Sequence, residues 1–339
     1  MDIVDLQEIN GKHPPKGNPM QNATSNELTL VIGSSGKTGS RIAQRLAKAG
    51  RAVRLGSRSA NTPFDWNAPA NWPTVLEGVK AVYIAYYPDL AIDEAPSHIT
   101  QLMDACKTAG VEKVVLLSGR GEANAQVCEQ IVRDSGLRYT LIRAGWFNQN
   151  FDEGHFLESV KAGVIALPIG DSVEPFVDCD DIADVAFAAL TEEKHDGELY
   201  ELTGPELLSM QQVTQILSEA AGHQVDYLPV TYEEHEAELT MHMGPDFAKF
   251  LTDLMREVMD GRNEWLGDGV QRALGREPKS FSQYAQKIAS TGAWQSPKQS
   301  WASKVKAGFH KKSAASCPAS HPRCRRRCNR GPKASVQAA

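Results

Sequence analysis

Short apolar runs alternate with helix-period segments along the first half of the chain. Residues 28–32 are an apolar run of strand type, and in residues 51–58 Val53 and Leu55 alternate with polar neighbours, as in a half-buried strand. Residues 81–86, 114–117 and 139–142 read as further strands. Helix patterns lie between them. The first places Ile42, Leu46 and Ala47 on one face and stops at Gly50; others run over 97–109, to Gly110, and 122–135, to Gly136. Strands and helices taking turns in this way predict an α/β protein with a doubly wound parallel sheet covered on both faces.

The pattern changes after Gly145. Residues 181–190 form an amphipathic helix with acids in its first turn, and 199–202 a strand. Residues 209–221 form a helix with Ser209 as N-cap and Gly222 as its stop. A strand at 225–228 ends at Pro229, helical material over 232–259 breaks at Gly244 and Pro245, and a last helix covers 280–290. Residues 27–145 are therefore expected to form a dinucleotide-binding domain. Residues 146–295 complete the sheet and add a smaller, mostly helical lobe over the C-terminal strand ends, where ligands of such sheets bind. Residues 1–26, with Pro14, Pro15 and Pro19, read as a disordered leader, leaving Met1 and Met20 both open as the start. Residues 296–339 have no periodicity and read as a disordered basic tail.

The stretch LTLVIGSSGKTGSRIAQRLAKAG at residues 28–50 gives this frame a chemistry. A strand, three glycines spaced G-x-x-G-x-x-G and a helix make the front of a βαβ dinucleotide site. Gly33 allows a tight turn, Gly36 lets the backbone approach a pyrophosphate, and Gly39 lets the helix pack closely. The loop GSSGKTG (Gly33, Ser34, Ser35, Gly36, Lys37, Thr38, Gly39) then offers unpaired N–H groups and a partial positive charge to phosphates.

Composition narrows the class. The chain has 339 residues and a hydrophobic fraction of 41%, ordinary for a globular protein. No run of eighteen apolar residues occurs, so no membrane helix is expected. No basic segment followed by an apolar one opens the chain, and Cys106, Cys128 and Cys179 read as buried thiols, so a cytoplasmic location is the expectation. The net charge of −6 is uneven: eleven Lys and Arg and no acid follow Pro297, which leaves −17 on the rest. An acidic body argues against a specific nucleic-acid partner. Cys317, His321, Cys324 and Cys328 match no structural zinc spacing, and Arg325 to Arg327 oppose a dication, so no metal is expected.

NAD enzymes place a carboxylate after the second strand to hold the ribose 2′-OH. Here that position reads Gly56, Ser57, Arg58. Arg58 and Ser57 suit a 2′-phosphate, with Lys37 adding charge, so NADP(H) is expected over NAD(H). Tyr86, ending the strand at 81–86, and Tyr87 after it either stack on a flat substrate or line the cofactor cleft.

Several stretches together resemble the NmrA-like family of atypical short-chain dehydrogenase/reductases. They are the glycine loop, LGSRS followed by FDW, Ser118 and Gly119 after a strand, SGLRYTLIRAGWFNQN, PFVDCDDIADVAFAAL and YELTGPELLSMQQV. The resemblance covers 28–294. It implies a Rossmann domain with a small substrate lobe, NAD(P)(H) binding, and a role for Ser118 beside the cofactor. It also implies that Arg143, Phe147 and Asn150 stand at the nicotinamide end beside the substrate cleft, with Ala144 in place of the family's usual proline. An ion pair for Arg143 and core packing for Phe147 remain open as alternatives.

Typical short-chain reductases use Tyr-x-x-x-Lys, the lysine lowering the tyrosine pKa. No tyrosine here has a lysine four residues on; Tyr139 and Arg143 come nearest, on a strand. His155 is a lone candidate donor, a type more often structural. Without a proton donor the expected acceptor is already activated. An iminium is neutralised by hydride, and a quinone yields a stable anion. Two functions follow: a reductase of a small, flat, electron-poor acceptor, or a redox sensor that binds NADP(H) and signals to a protein partner.

Overall fold

The structure is a computed structural model and describes residues 27–295. The expected leader (1–26) and basic tail (296–339), with its Cys/His cluster, lie outside the described residues. The described chain up to Trp294 packs as one unit. Its centre is a six-stranded, all-parallel sheet in the order β2-β1-β3-β4-β5-β8. The strands are β1 (Leu28–Ile32), β2 (Val53–Gly56), β3 (Val79–Ile84), β4 (Lys113–Gly119), β5 (Arg138–Ala144) and β8 (Leu199–Leu202). From β1 the chain moves to β2 on one side, then crosses back to β3 on the other. The switch point therefore lies at the C-terminal ends of β1 and β3.

Helices α2 (Trp72–Leu76), α3 (Ala95–Ala109) and α4 (Ala123–Asp134) cover one face over a core that includes Leu30, Ile84, Leu102 and Leu116. Helices α1 (Lys37–Lys48), α6 (Cys179–Thr191) and α10 (Gly269–Leu274) cover the other with Val31, Ile42, Val115 and Ile182. β3 and β4 are buried on almost every residue, which is why they read as continuous apolar runs. Residues from the second half, α6, β8 and α10, thus belong to the sheet layers.

A third core, built on Phe151, Phe176, Phe281 and Trp294, holds the remainder together. It contains α5 (Leu157–Ala162), α7 (Met210–Ala221), α9 (Pro245–Val258) and α11 (Phe281–Thr291), while α8 (Tyr232–Met243) packs on α9 with no buried residue of its own. It also contains β6 (Val164–Leu167), β7 (Val173–Glu174), β9 (Leu208–Ser209) and β10 (Asp226–Pro229), paired as β10-β6 and β7-β9. Ser209, Thr231 and Ser280 form capping boxes with Gln212, Glu234 and Gln283 and start α7, α8 and α11 where the sequence signals them. One face assignment changes. Ala47 is exposed and Ala43 takes its place beside Ile42 and Leu46, because at 100° per residue Ala47 turns away from the stripe centred between Ile42 and Ala43.

Candidate functional site

The glycine loop sits at the switch point. Gly33 has φ +78°, and a Cβ there would stand 2.9 Å from the Ala85 Cβ at the end of β3. Its N–H donates to the Gly56 carbonyl at 2.9 Å, and the Gly36 N–H donates to the Gly33 carbonyl at 2.9 Å. A Cβ on Gly39 would come within 2.2 Å of that same carbonyl oxygen. Gly39 therefore lets α1 pack on its own loop, not on the strand. Thr38 Oγ1 accepts from the buried Tyr83 hydroxyl at 2.9 Å, which fixes the first turn of α1 to β3. Burial pushes the Tyr83 phenol well above its ordinary pKa, so it stays protonated.

The N-terminus of α1 is prepared for an anion. Its N-cap, Gly36, supplies no side chain to the first N–H groups, the first turn holds no acid, and Lys37 opens it. In front lies a cleft of ≈ 540 Å³. Gly33, Ser35, Gly36, Lys37 and Thr38 form its floor; Gly56, Ser57 and Arg58 one end; Ala85, Tyr86, Tyr87 and Pro88 a wall; and Leu117 and Phe147 the rest. Among the described residues neither Lys37 nor Arg58 has a carboxylate within ion-pair distance. Most other arginines near the sheet are paired: Arg41 with Glu153 and Asp180, Arg45 with Asp180 and Asp184, Arg276 with Asp181 and Asp184.

The expected site residues divide. Ten stand together in the cleft lining: Gly33, Ser35, Gly36, Lys37, Thr38, Ser57, Arg58, Tyr86, Tyr87 and Phe147. Ser34 and Gly39 are buried beneath the loop, the Ser34 N–H donating to the Gly56 carbonyl at 3.3 Å. Ser118, Arg143 and Asn150 are not in the lining. Ser118 Oγ donates to Glu129 at 2.7 Å. Arg143 grips the same carboxylate through Nε and Nη2, both at 2.7 Å, and reaches Glu201 at 3.1 Å. Glu201 in turn pairs with the buried Arg120 at 3.4 Å. Of the alternatives open for Arg143, the ion pair is what the structure contains. Asn150 closes the turn after β5, its N–H donating to the Phe147 carbonyl at 3.0 Å and its carbonyl accepting from Phe156 at 3.2 Å. His155 is exposed, with its ring edge-on to Phe156.

Sequence reasoning missed the residues that follow β2. Phe64, Asp65, Trp66 and Asn67 all line the cleft. Asp65 Oδ1 accepts the Asn67 N–H at 2.9 Å and the Asp65 carbonyl accepts from Trp72 Nε1 at 2.9 Å, which fixes the segment. Phe64, Trp66 and Trp72 pack ring on ring at 4.9–6.0 Å, and Trp66 meets Tyr86 at 4.5 Å. The available signal was the Phe-Asp-Trp triplet itself, an acid enclosed by two large rings.

Several carboxyls near the strand ends hold protons unusually well. Burial, then the charges of Asp89, Glu257 and Glu129, raise Glu122 to about 8. Burial raises Glu174, which accepts from the Trp146 N–H at 3.2 Å, to about 7. Burial also raises Asp89, after β3. Among the described residues no group of side chains suits a metal ion, and no helix is long and apolar enough to cross a membrane. A dinucleotide fits this donor set: an uncapped helix N-terminus and unpaired cations for its phosphates, and aromatic walls for its planar groups.

The NmrA-like family model matches residues 63–285. Festuclavine synthase II of Penicillium roqueforti is 32% identical, over 76% of this chain and 96% of its own length. The NAD(P)H azoreductase of Xenophilus azovorans is 29% identical, over 78% of this chain and 98% of its own. In fold, the chain resembles an NADPH-dependent quinone oxidoreductase of Escherichia coli, with a TM-score of 0.64 and 20% identity over 77% of this chain and 99% of that one.

Proposed function

This chain belongs to the NmrA-like family and is an NAD(P)H-dependent oxidoreductase, and on that premise we propose that it prefers NADPH and reduces a small, flat, electron-poor acceptor of the quinone, azo or iminium type. The observation that carries the cofactor part is the pair of cations without carboxylates, Lys37 and Arg58, beside an uncapped α1 N-terminus in one cleft. Lys37 and the first N–H groups of α1 hold the pyrophosphate. Arg58 and Ser57 hold the ribose 2′-phosphate, and a charge-assisted contact of this kind contributes about 1.5–3 kcal/mol, at least tenfold in preference. Asp65 and the rings of Phe64 and Trp66 enclose the adenosine end.

When bound, the reduced nicotinamide supplies a hydride. The chain offers no Tyr-x-x-x-Lys pair to follow it with a proton, and the buried Tyr83 is engaged by Thr38. The protein's part is then to orient the acceptor and exclude water, with Phe147 as a wall. Such a site suits acceptors that need no proton at the moment of transfer. The relatives named for azo and clavine chemistry support this acceptor class.

The test is to mix the protein with NADPH and a panel of quinones, azo dyes and cyclic imines and to follow the absorbance of the reduced nicotinamide. Turnover with at least one is expected. Tight NADPH binding without turnover would overturn the reductase reading in favour of a sensor. Equal affinity for NADPH and NADH, unchanged in Arg58→Ala, would overturn the cofactor preference.

A further inference from the structure

Arg58 and Tyr87 come from loops on opposite sides of β1, the first following β2 and the second following β3. Both line the cleft, and the Arg58 guanidinium carbon lies over the Tyr87 ring, 5.6 Å from its centroid. Tyr87 is 65% exposed, the second most exposed large hydrophobic side chain among the described residues, so it is not held there by the core. Among the described residues no carboxylate takes the guanidinium within ion-pair distance. The neighbouring Tyr86 is different: it is turned inward, against Trp66 at 4.5 Å, with its oxygen 2.6 Å from His98 Nδ1. Two consecutive tyrosines thus have separate partners, and only the outer one faces the cation.

We propose that Tyr87 is a positioning residue for Arg58, holding its guanidinium over the open end of the cleft so that it meets a ribose 2′-phosphate already oriented. This rests on the NADPH reading above and deepens it. An arginine stem has several rotatable bonds, and fixing them on binding costs affinity. A ring under the cation removes part of that cost in advance, through an attraction between the cation and the ring's negative face. The N–H edges, which make bidentate bonds to phosphate oxygens, stay free. The same arrangement gives nothing to a ribose that carries only a hydroxyl, so Tyr87 acts on the choice between the two dinucleotides and not on dinucleotide binding as such.

The readout is the ratio of Kd values for NADH and NADPH, measured by titration of the full chain. Replacing Tyr87 by leucine (Tyr87→Leu) is expected to lower that ratio by roughly two- to fivefold, the range for an exposed cation–π contact. Tyr87→Phe keeps the ring face and is expected to keep the wild-type ratio. In an Arg58→Ala background, Tyr87→Leu is expected to change the ratio no further. An unchanged ratio in Tyr87→Leu, or an equal fall with Arg58 already removed, overturns the proposal while leaving the NADPH reading intact. A wild type with no preference, unaffected by Arg58→Ala, overturns that reading and this proposal with it. A merely structural tyrosine would weaken both dinucleotides together and leave the ratio in place.

Discussion

At the glycine loop the charged groups face open space, whereas at the ends of β4 and β5 they face one another. Among the described residues, Lys37 and Arg58 stand at the cleft with no carboxylate within ion-pair distance. A few strands along the same sheet edge, Ser118, Arg143 and Arg120 are all engaged by Glu129 and Glu201. The residue types are alike in the two places; their satisfaction is not. A buried polar group must find a partner in the fold, and Glu129 at 2% exposure has three hydrogen bonds from two side chains. Lys37 and Arg58, beside an uncapped helix end, have no acidic partner among the described residues. The same sheet edge therefore holds an open end and a structural end, distinguished by where the hydrogen bonds go.

The sharpest way to break this contrast is Glu129→Ala. Removing one member of this buried pair leaves Ser118 without its acceptor and Arg143 with Glu201 alone, and is expected to cost about 3 kcal/mol, read as a lowered denaturation midpoint. Lys37→Ala, on the open end, is expected to leave that midpoint in place and to weaken NADPH. If the two variants behaved alike, the division would be wrong.

Next comes Gly39→Ala. Its Cβ would enter the Gly33 carbonyl, which is backbone and cannot swing aside. A stability loss of about 1–3 kcal/mol is expected, together with loss of dinucleotide binding in a fluorescence titration, because the phosphate loop itself must shift. Retained NADPH affinity would show that the loop tolerates the displacement and is not the phosphate cradle.

Arg58→Ala is a smaller change and a cleaner one. It is expected to reduce the preference for NADPH over NADH about tenfold with no change in thermal midpoint, since the side chain has no structural ion pair. A fall in the midpoint would move Arg58 into the structural class beside Arg143.

A pH-dependent effect concerns a third kind of group, acids near the strand ends that repel one another. Glu122 ionises at about 8 in the folded chain against an ordinary value of 4.5. The fold thus favours its protonated form, and stability declines as pH rises between those two values. Glu122→Gln removes that contribution. Its thermal midpoint relative to wild type is expected to be unchanged near pH 4 and to rise towards pH 8. Parallel melting curves across that range would show that the carboxyl is not strained by ionisation. The buried Glu174, at about 7, gives both proteins a residual slope of the same sign.

Much of this was legible in the sequence. The order of the sheet strands and helices, the stops at Gly110 and Gly222, and the helix starts at Ser209 and Ser280 are local, each set by a residue's own backbone preference or by a partner within four positions. The glycine loop and its uncapped helix were readable for the same reason. What could not be read was β6, whose partner β10 lies some sixty residues on, and the passage of Asp65 into the cleft on the rings of Phe64, Trp66 and Trp72.

By itself, the sequence determined that a strand, a tight glycine turn and a helix follow one another over residues 28–48, because spacing along one turn is a local property. It also determined that no Tyr-x-x-x-Lys pair exists, since that is a matter of residue order alone. Only the tertiary structure decided which charges are spent. Arg58 and Arg143 both follow strand residues of one sheet and look equally available in one dimension. In three, Glu129 arrives from α4 to take Arg143, and among the described residues no acid comes within ion-pair distance of Arg58, which lies over a tyrosine from the far side of β1. Pairing between residues distant in the chain is set by how the layers pack.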